Sequence, residues 1–341
     1  MRAKLGIGIV GLGAHAQRGH IDHLVRIERA DIIAVCDPSD EARERVRAAG
    51  FTGPAYESLD ELLSEDRVRA LVICSPDRFH AHALAHGVAA GRHVLVEKPV
   101  AERRGDLQLV LDAIAQARRS RLVVTSCHPR RFDPPFTWLR DELPALRAQL
   151  GNALDVRFDF FYHRPSKKGL HHGLLIDHIN HEIDLVHFLF GYSPFVAHRL
   201  ADSEVRYGAA GSRQDGLCFA FFGSRHLERR AYTEVMRVRF ERGEVEIDAE
   251  TGVATVRDRE TATSRVAMCG ATDYEQRFDA INRDFVSAVL DGAAPYLTPA
   301  DLIVNTEVGI ALTQDGSYDS RQSSVASLLT RPAGDRTSAG E

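Results

Sequence analysis

Lysine is scarce. Only Lys4, Lys98, Lys167 and Lys168 stand among the 43 basic residues of this 341-residue chain. A genome bias toward arginine accounts for the average, but ammonium and guanidinium chemistry differ, so each surviving lysine is a candidate for a site. Excess charge of either sign is also missing. The 43 Lys and Arg against 48 Asp and Glu leave −5, which argues against organisation around nucleic-acid phosphates. No run reaches the roughly 18 apolar residues that a membrane span needs. Arg2 and Lys4 before an apolar stretch imitate a leader, yet Gly6, Gly8, Gly11 and Gly13 break it and a charged helical segment follows. Cysteines number five (Cys36, Cys74, Cys127, Cys218 and Cys269), an odd count without a CxxC. That pattern predicts free thiols in a reducing, cytoplasmic setting. With 44% hydrophobic and 27% charged residues, disorder is excluded as the main state, and the length suits two domains with a sizeable core.

The first third alternates short apolar runs with helical patterns. Strands are read at 5–10, 31–36, 70–74, 93–96 and 121–126, with helices at 14–29, about 40–49, 78–90 and 103–119. Continuous apolar strands mean burial on both faces, and strand–helix alternation means a parallel sheet. After residue 126 the pattern changes: a helix at 135–148, an alternating strand at 153–162, a helix at 173–190, a series of strands over 194–257, and helices at 274–291 and 299–313. The fold class expected is α/β: an N-terminal Rossmann doubly wound sheet over 1–125, then an α+β domain with a large, mostly antiparallel open sheet over 126–325. Residues 326–341, without apolar periodicity, read as a tail.

Residues 11–16, Gly-Leu-Gly-Ala-His-Ala, form a G-x-G-x-x-A between the first strand and first helix. Gly11 allows the tight turn, Gly13 the approach of a pyrophosphate, and Ala16 close helix–strand packing. The helix N-terminus then faces the phosphates. Asp37 ends the second strand, where a carboxylate accepts from ribose hydroxyls and repels a 2′-phosphate. Pro38 and Ser39 follow rather than arginine, so NAD is favoured over NADP. The bland role for Asp37, a helix cap, can be served by Ser39 or Asp40.

Lys98 ends a parallel strand beside the crevice where open α/β sheets bind ligands. An ammonium there can donate to a substrate hydroxyl and stabilise alkoxide charge. In the later helix, DHINHEIDLVHF places Asp177, His181 and Asp184 on one face at i,i+4 and i,i+3, next to an apolar stripe. A histidine flanked by carboxylates suits a general base, with Asp177 fixing its tautomer and raising its basicity. A satisfied core histidine is the alternative. His178 and His181 form HxxH, but HEIDL is not HExxH and no cysteine lies nearby, so no metal is expected.

Taken together, GLGAHA with His20 after it, Ser75-Pro76 with His80, the Ala-Gly pair at 90–91, and Glu97-Lys98-Pro99 resemble the Gfo/Idh/MocA family of sugar and cyclitol oxidoreductases. The stretch 279–313 also looks like that family. The resemblance implies that Lys98 is catalytic and that Asp177 and His181 match a DxxxH pair. It also implies that Gly11, Gly13, Ala14, His15, Ala16, Asp37, Ser75, Pro76, His80, Glu97 and Lys98 line NAD. His-Glu-Ile-Asp at 181–184 looks most like the inositol dehydrogenases of the family. The implied reaction is reversible oxidation of a secondary alcohol on a sugar or cyclitol by a homodimer or homotetramer. The stretch before the helix departs from the family: Arg164, Lys167 and Lys168 gather there, either as a solvated loop or as contacts to an anionic group of the substrate, and His172 and Asp184 are further candidates for substrate binding. Three rival readings stay open: a keto-sugar nucleotide reductase, an NAD-dependent glycosidase and a non-catalytic dinucleotide-binding regulator.

Overall fold

The computed structural model describes residues 3–163, 173–226 and 232–323. The expectations placed on Arg164, Lys167, Lys168, His172 and the tail therefore lie outside the described residues. The first layer is built from β1 (Leu5–Val10), α1 (Ala14–Ala16), a π-helical turn at Gln17–Ile21, α2 (Asp22–Leu24), β2 (Ala30–Cys36), α3 (Asp40–Ala48), β3 (Ala55–Tyr56) and α4 (Leu59–Leu63). It continues with β4 (Ala70–Ile73), α5 (His80–Ala89), β5 (His93–Val96), α6 (Arg104–Arg119) and β6 (Val124–Ser126). The strands pair in the order β3-β2-β1-β4-β5-β6, all parallel. Every residue of β1 and β4 is buried, as two covered faces require. The strand order reverses between β1 and β4, which opens a crevice at their C-terminal ends.

The second layer comprises α7 (Pro134–Leu150), β7 (Ala153–His163), α8 (Leu174–Phe190), β8 (Phe195–Asp202), β9 (Arg206–Arg213), β10 (Cys218–His226) and β11 (Thr233–Phe240). It ends with β12 (Gly243–Asp248), β13 (Val253–Asp258), β14 (Thr263–Met268), α9 (Tyr274–Asp291), α10 (Pro299–Gln314) and β15 (Ser317–Asp319). Its nine strands run β14-β13-β12-β11-β7-β10-β9-β8-β15. All neighbours are antiparallel except β7 and β10, which are parallel. Strict alternation of burial in β12 and β13 marks one covered face, where Phe136 and Leu139 of α7 join Val156 and Phe158 of β7 in a common core.

Three local features differ from the sequence reading. The helix expected at 14–29 ends at Leu24 and holds the π turn; one extra residue per turn leaves no periodic signature. The strand expected at 121–126 begins only at Val124, because Arg121 takes a left-handed φ of 56°. Although α9 lies in the second half of the chain, it packs on the first sheet: Phe285 and Val286 share a core with Leu5, Ile7 and Ile9.

Candidate active site

The phosphate turn is shaped by its neighbours. Gly11 has φ +88°, and a Cβ there would lie 2.6 Å from the Ser75 nitrogen, so the turn and the end of β4 touch through backbone alone. Above Gly13 no heavy atom comes within 4 Å of an added Cβ. This leaves room at the N-terminus of the helix, where Ala14 and His15 follow and Ala16 is fully buried. Asp37 Oδ2 accepts from the Leu12 N–H at 2.8 Å and Oδ1 from the Ser39 N–H at 2.9 Å. Ser39, not Asp37, caps α3. Arg43, six residues beyond Asp37, donates to the Asp37 carbonyl at 2.5 Å and to Asp40; attention to the residues immediately after Asp37 missed this cation. The His80 ring bridges the Pro99 carbonyl at 2.8 Å and the Ser75 carbonyl at 2.7 Å, tying Pro76 and its turn to the end of β5. The Ser75 hydroxyl is buried without a hydrogen-bond partner among the described residues. An open helix N-terminus, a carboxylate at the end of β2 and this orphaned hydroxyl fit a dinucleotide.

Glu97 gathers the centre of the crevice. Its Oε1 meets His15 Nε2 at 2.8 Å and His20 Nε2 at 3.0 Å, and its Oε2 accepts from the Lys98 N–H at 3.2 Å. These His and Glu atoms lie within 4.8 Å of one another, but the hydrogen bonds account for their closeness. Burial would raise the Glu97 pKa, yet the two histidines outweigh it and hold the carboxyl well below its ordinary range.

Lys98, joined to Pro99 by a cis peptide, sends its ammonium to α8. Nζ donates to the Asp177 carbonyl at 2.9 Å and to the Asp177 carboxylate. Burial acts to lower the Lys98 pKa, but Asp177 prevails and keeps it raised. His181, one turn along α8, packs edge-on against His128 with centroids 5.4 Å apart. Its Nδ1 is buried with no hydrogen-bond partner among the described residues. Burial first, then the charges of Lys98 and Arg130, hold its pKa well below the ordinary histidine value. This corrects the sequence reading. Asp177 turns to Lys98 rather than orienting His181, and the imidazole is made less basic, not more. It is therefore neutral, with a lone pair ready to accept a proton.

Asp184 also needs correction. It is 1% exposed, takes a bidentate pair from Arg131 at 2.8 and 2.6 Å, and accepts from Asn305 at 2.8 Å. It is a buried anion held by Arg131 and Asn305. His178 stacks on Tyr207 at 5.0 Å, and its Nε2 meets the Tyr162 hydroxyl at 3.1 Å. The sequence reading missed the cations behind α8. Arg130 reaches Glu182 at 3.3 Å and Glu234 at 3.0 Å, and burial lifts the Glu182 carboxyl to about 7. The available signal was the tandem Arg130-Arg131 just after β6, where a parallel strand opens onto the crevice.

The parallel sheet, the phosphate turn and the switch in strand order beside them define a nucleotide-binding fold. Residues 5–126 match the model of the oxidoreductase family with an NAD-binding Rossmann fold, GFO_IDH_MocA. It is 28% identical over 190 residues to 4-carboxy-2-hydroxymuconate-6-semialdehyde dehydrogenase of a Sphingobium species, covering 54% of this chain and 59% of that protein. It is 32% identical over 205 residues to inositol 2-dehydrogenase of Leifsonia xyli, covering 58% and 56%. The chain thus spans less than two thirds of either relative's length. An oxidoreductase from Agrobacterium radiobacter in complex with NAD+, L-tartaric acid and magnesium shares the fold, with a TM-score of 0.79, 13% identity, and coverage of 93% of this chain and 98% of that one. No helix among the described residues is long and apolar enough to cross a membrane.

Proposed function

We propose that the protein is an NAD-dependent dehydrogenase that interconverts a secondary alcohol and its ketone on a cyclitol or sugar. The observation that carries this reading is the Lys98 ammonium seated on Asp177, one helical turn before His181, whose Nδ1 has no hydrogen-bond partner among the described residues and whose pKa the charge of Lys98 helps to lower. NAD, when bound, supplies the hydride acceptor. His181 takes the hydroxyl proton, which a neutral ring can do without first losing one. Lys98 donates to the same oxygen as negative charge develops on it. Asp177 holds the ammonium in place and charged. The likeness to inositol 2-dehydrogenase favours a polyol.

A screen of inositols, hexoses, uronic acids and sugar nucleotides by NADH absorbance tests the reading. At least one polyol should give NAD-dependent turnover. Leaving-group release without net NADH would move the assignment to the glycosidase, and a silent screen in both directions would end it.

Asp37 makes a second, separable prediction. Its carboxylate, fixed by two backbone donors, repels a 2′-phosphate. The unaltered protein should bind NAD more tightly than NADP by calorimetry. In Asp37→Ala the gap should narrow, helped by Arg43 next to the vacated carboxylate. Tighter NADP binding by the unaltered protein would refute the preference.

A further inference from the structure

The π turn of the first helix carries His20, which is completely buried. The proposed reaction uses neither it nor its neighbour Asn282. The hydrogen bonds around the pair fix where the protons are. Asn282 Nδ2 donates to the Gly19 carbonyl at 2.9 Å and to the Phe278 carbonyl at 2.7 Å. Both carbonyls can only accept, so the amide cannot be flipped. Its Oδ1 therefore faces His20 Nδ1, at 3.0 Å, and that nitrogen must carry a proton. The other ring nitrogen, Nε2, lies 3.0 Å from Glu97 Oε1. A neutral ring would point a lone pair at a carboxylate oxygen there. A second proton is required between them, and the surroundings place it on nitrogen. Glu97 Oε1 already accepts from His15, and Oε2 from the Lys98 N–H.

We propose that Asn282 is a positioning residue that fixes His20 as a doubly protonated ring, making His20 and Glu97 a buried ion pair that locks the Lys98 backbone at the reacting edge. This role rests on the dehydrogenase reading only for its kinetic consequence. The pair joins three elements: the helix behind the phosphate turn, the end of β5, and α9. The groups facing His20 are His15 from α1, Cys74 at the end of β4, Glu97 after β5, and Phe278 and Asn282 from α9. Burial lowers the His20 pKa, but Cys74 and Glu97 override it and raise it to about 10. Burial also raises the Cys74 pKa, and Glu97, whose carboxyl is held well below its ordinary range, is the carboxylate countercharge within hydrogen-bond distance of the ring.

The test is a long-range proton–nitrogen correlation spectrum of the full chain labelled with 15N-histidine, with His20 assigned by its loss in His20→Gln. In the unaltered protein both ring nitrogens of His20 should stay in the protonated range from about pH 6 to pH 9, while Asn282→Leu should let the ring titrate within that range. With the substrate found by the screen, Asn282→Leu should lower kcat on the order of 10- to 100-fold, the scale of a small misplacement of a reacting group, with NAD affinity changed less than about threefold. A neutral His20 pattern at pH 7.5 in the unaltered protein would overturn the proposal. So would a pattern that appears only with a bound metal and vanishes on chelation. The spectrum of the unaltered protein decides the protonation even where the variant fails to fold. It needs no substrate, so failure of the proposed reaction and failure of the ion pair are distinguishable.

Discussion

Lys98→Met and His181→Ala should each lower kcat by about two to four orders of magnitude, the scale of losing an oxyanion-stabilising or acid–base group. Both should leave NAD affinity nearly unchanged by calorimetry, because the phosphate turn at 11–16 is built from backbone and from Asp37, not from these side chains. The pH profile separates their roles. Protonation disables His181 as a base, so kcat/KM for alcohol oxidation should fall as pH drops through its depressed pKa. The profile should therefore be flat across neutrality, with its limb well into the acid range. Lys98 is the charge that depresses the histidine most, so Lys98→Met should move the limb upward. Asp177→Asn should cost less than either, and its mark should be a Lys98 that deprotonates more readily, since the carboxylate offsets burial there. A full-speed His181→Ala enzyme that keeps the acid limb would transfer the proton to another group.

Arg131→Met should cost about 3–5 kcal/mol of stability, the usual penalty for leaving one member of a buried ion pair alone. The guanidinium is 8% exposed and Asp184 is 1% exposed; Asn305 supplies Asp184 one hydrogen bond but no charge. Adding Asp184→Asn to Arg131→Met should recover part of the loss, because the orphaned anion rather than the missing contact dominates it. Urea unfolding of the single and double variants measures this. A single variant within about 1 kcal/mol of the unaltered protein would mean that water already reaches Asp184.

The parts of the site visible in the sequence are those whose partners are close along the chain or belong to one element. The G-x-G-x-x-A turn, Asp37 after an apolar strand and Lys98 after another could be placed because strand ends in a parallel sheet converge on one crevice. The 173–190 helix could be read for its shared faces, yet not for what those faces meet. Asp184 finds Arg131 at a separation of 53 residues, and His20 finds Asn282 at 262; no local pattern encodes either. Asp177 was assigned to His181 on i,i+4 spacing, but Lys98, 79 residues away, took its carboxylate. An ammonium is the stronger partner for a carboxylate than a neutral imidazole. The parallel pairing of β7 with β10 was also hidden, because a strand's alternation looks the same whichever way its neighbour runs.

The return of α9 to the first sheet bears on how the chain comes off the ribosome. Protein domains commonly complete in order of synthesis. Here the face of β1 that holds Leu5, Ile7 and Ile9 receives Phe285 and Val286 from near the opposite end. A nascent chain that stops after β6 has every strand of the nucleotide-binding sheet but lacks part of its apolar cover. That half-built layer must wait, with sticky surface showing, until α9 has been translated. The stretch that matches the family model and the stretch that completes the apolar cover of its sheet are therefore different lengths of polypeptide.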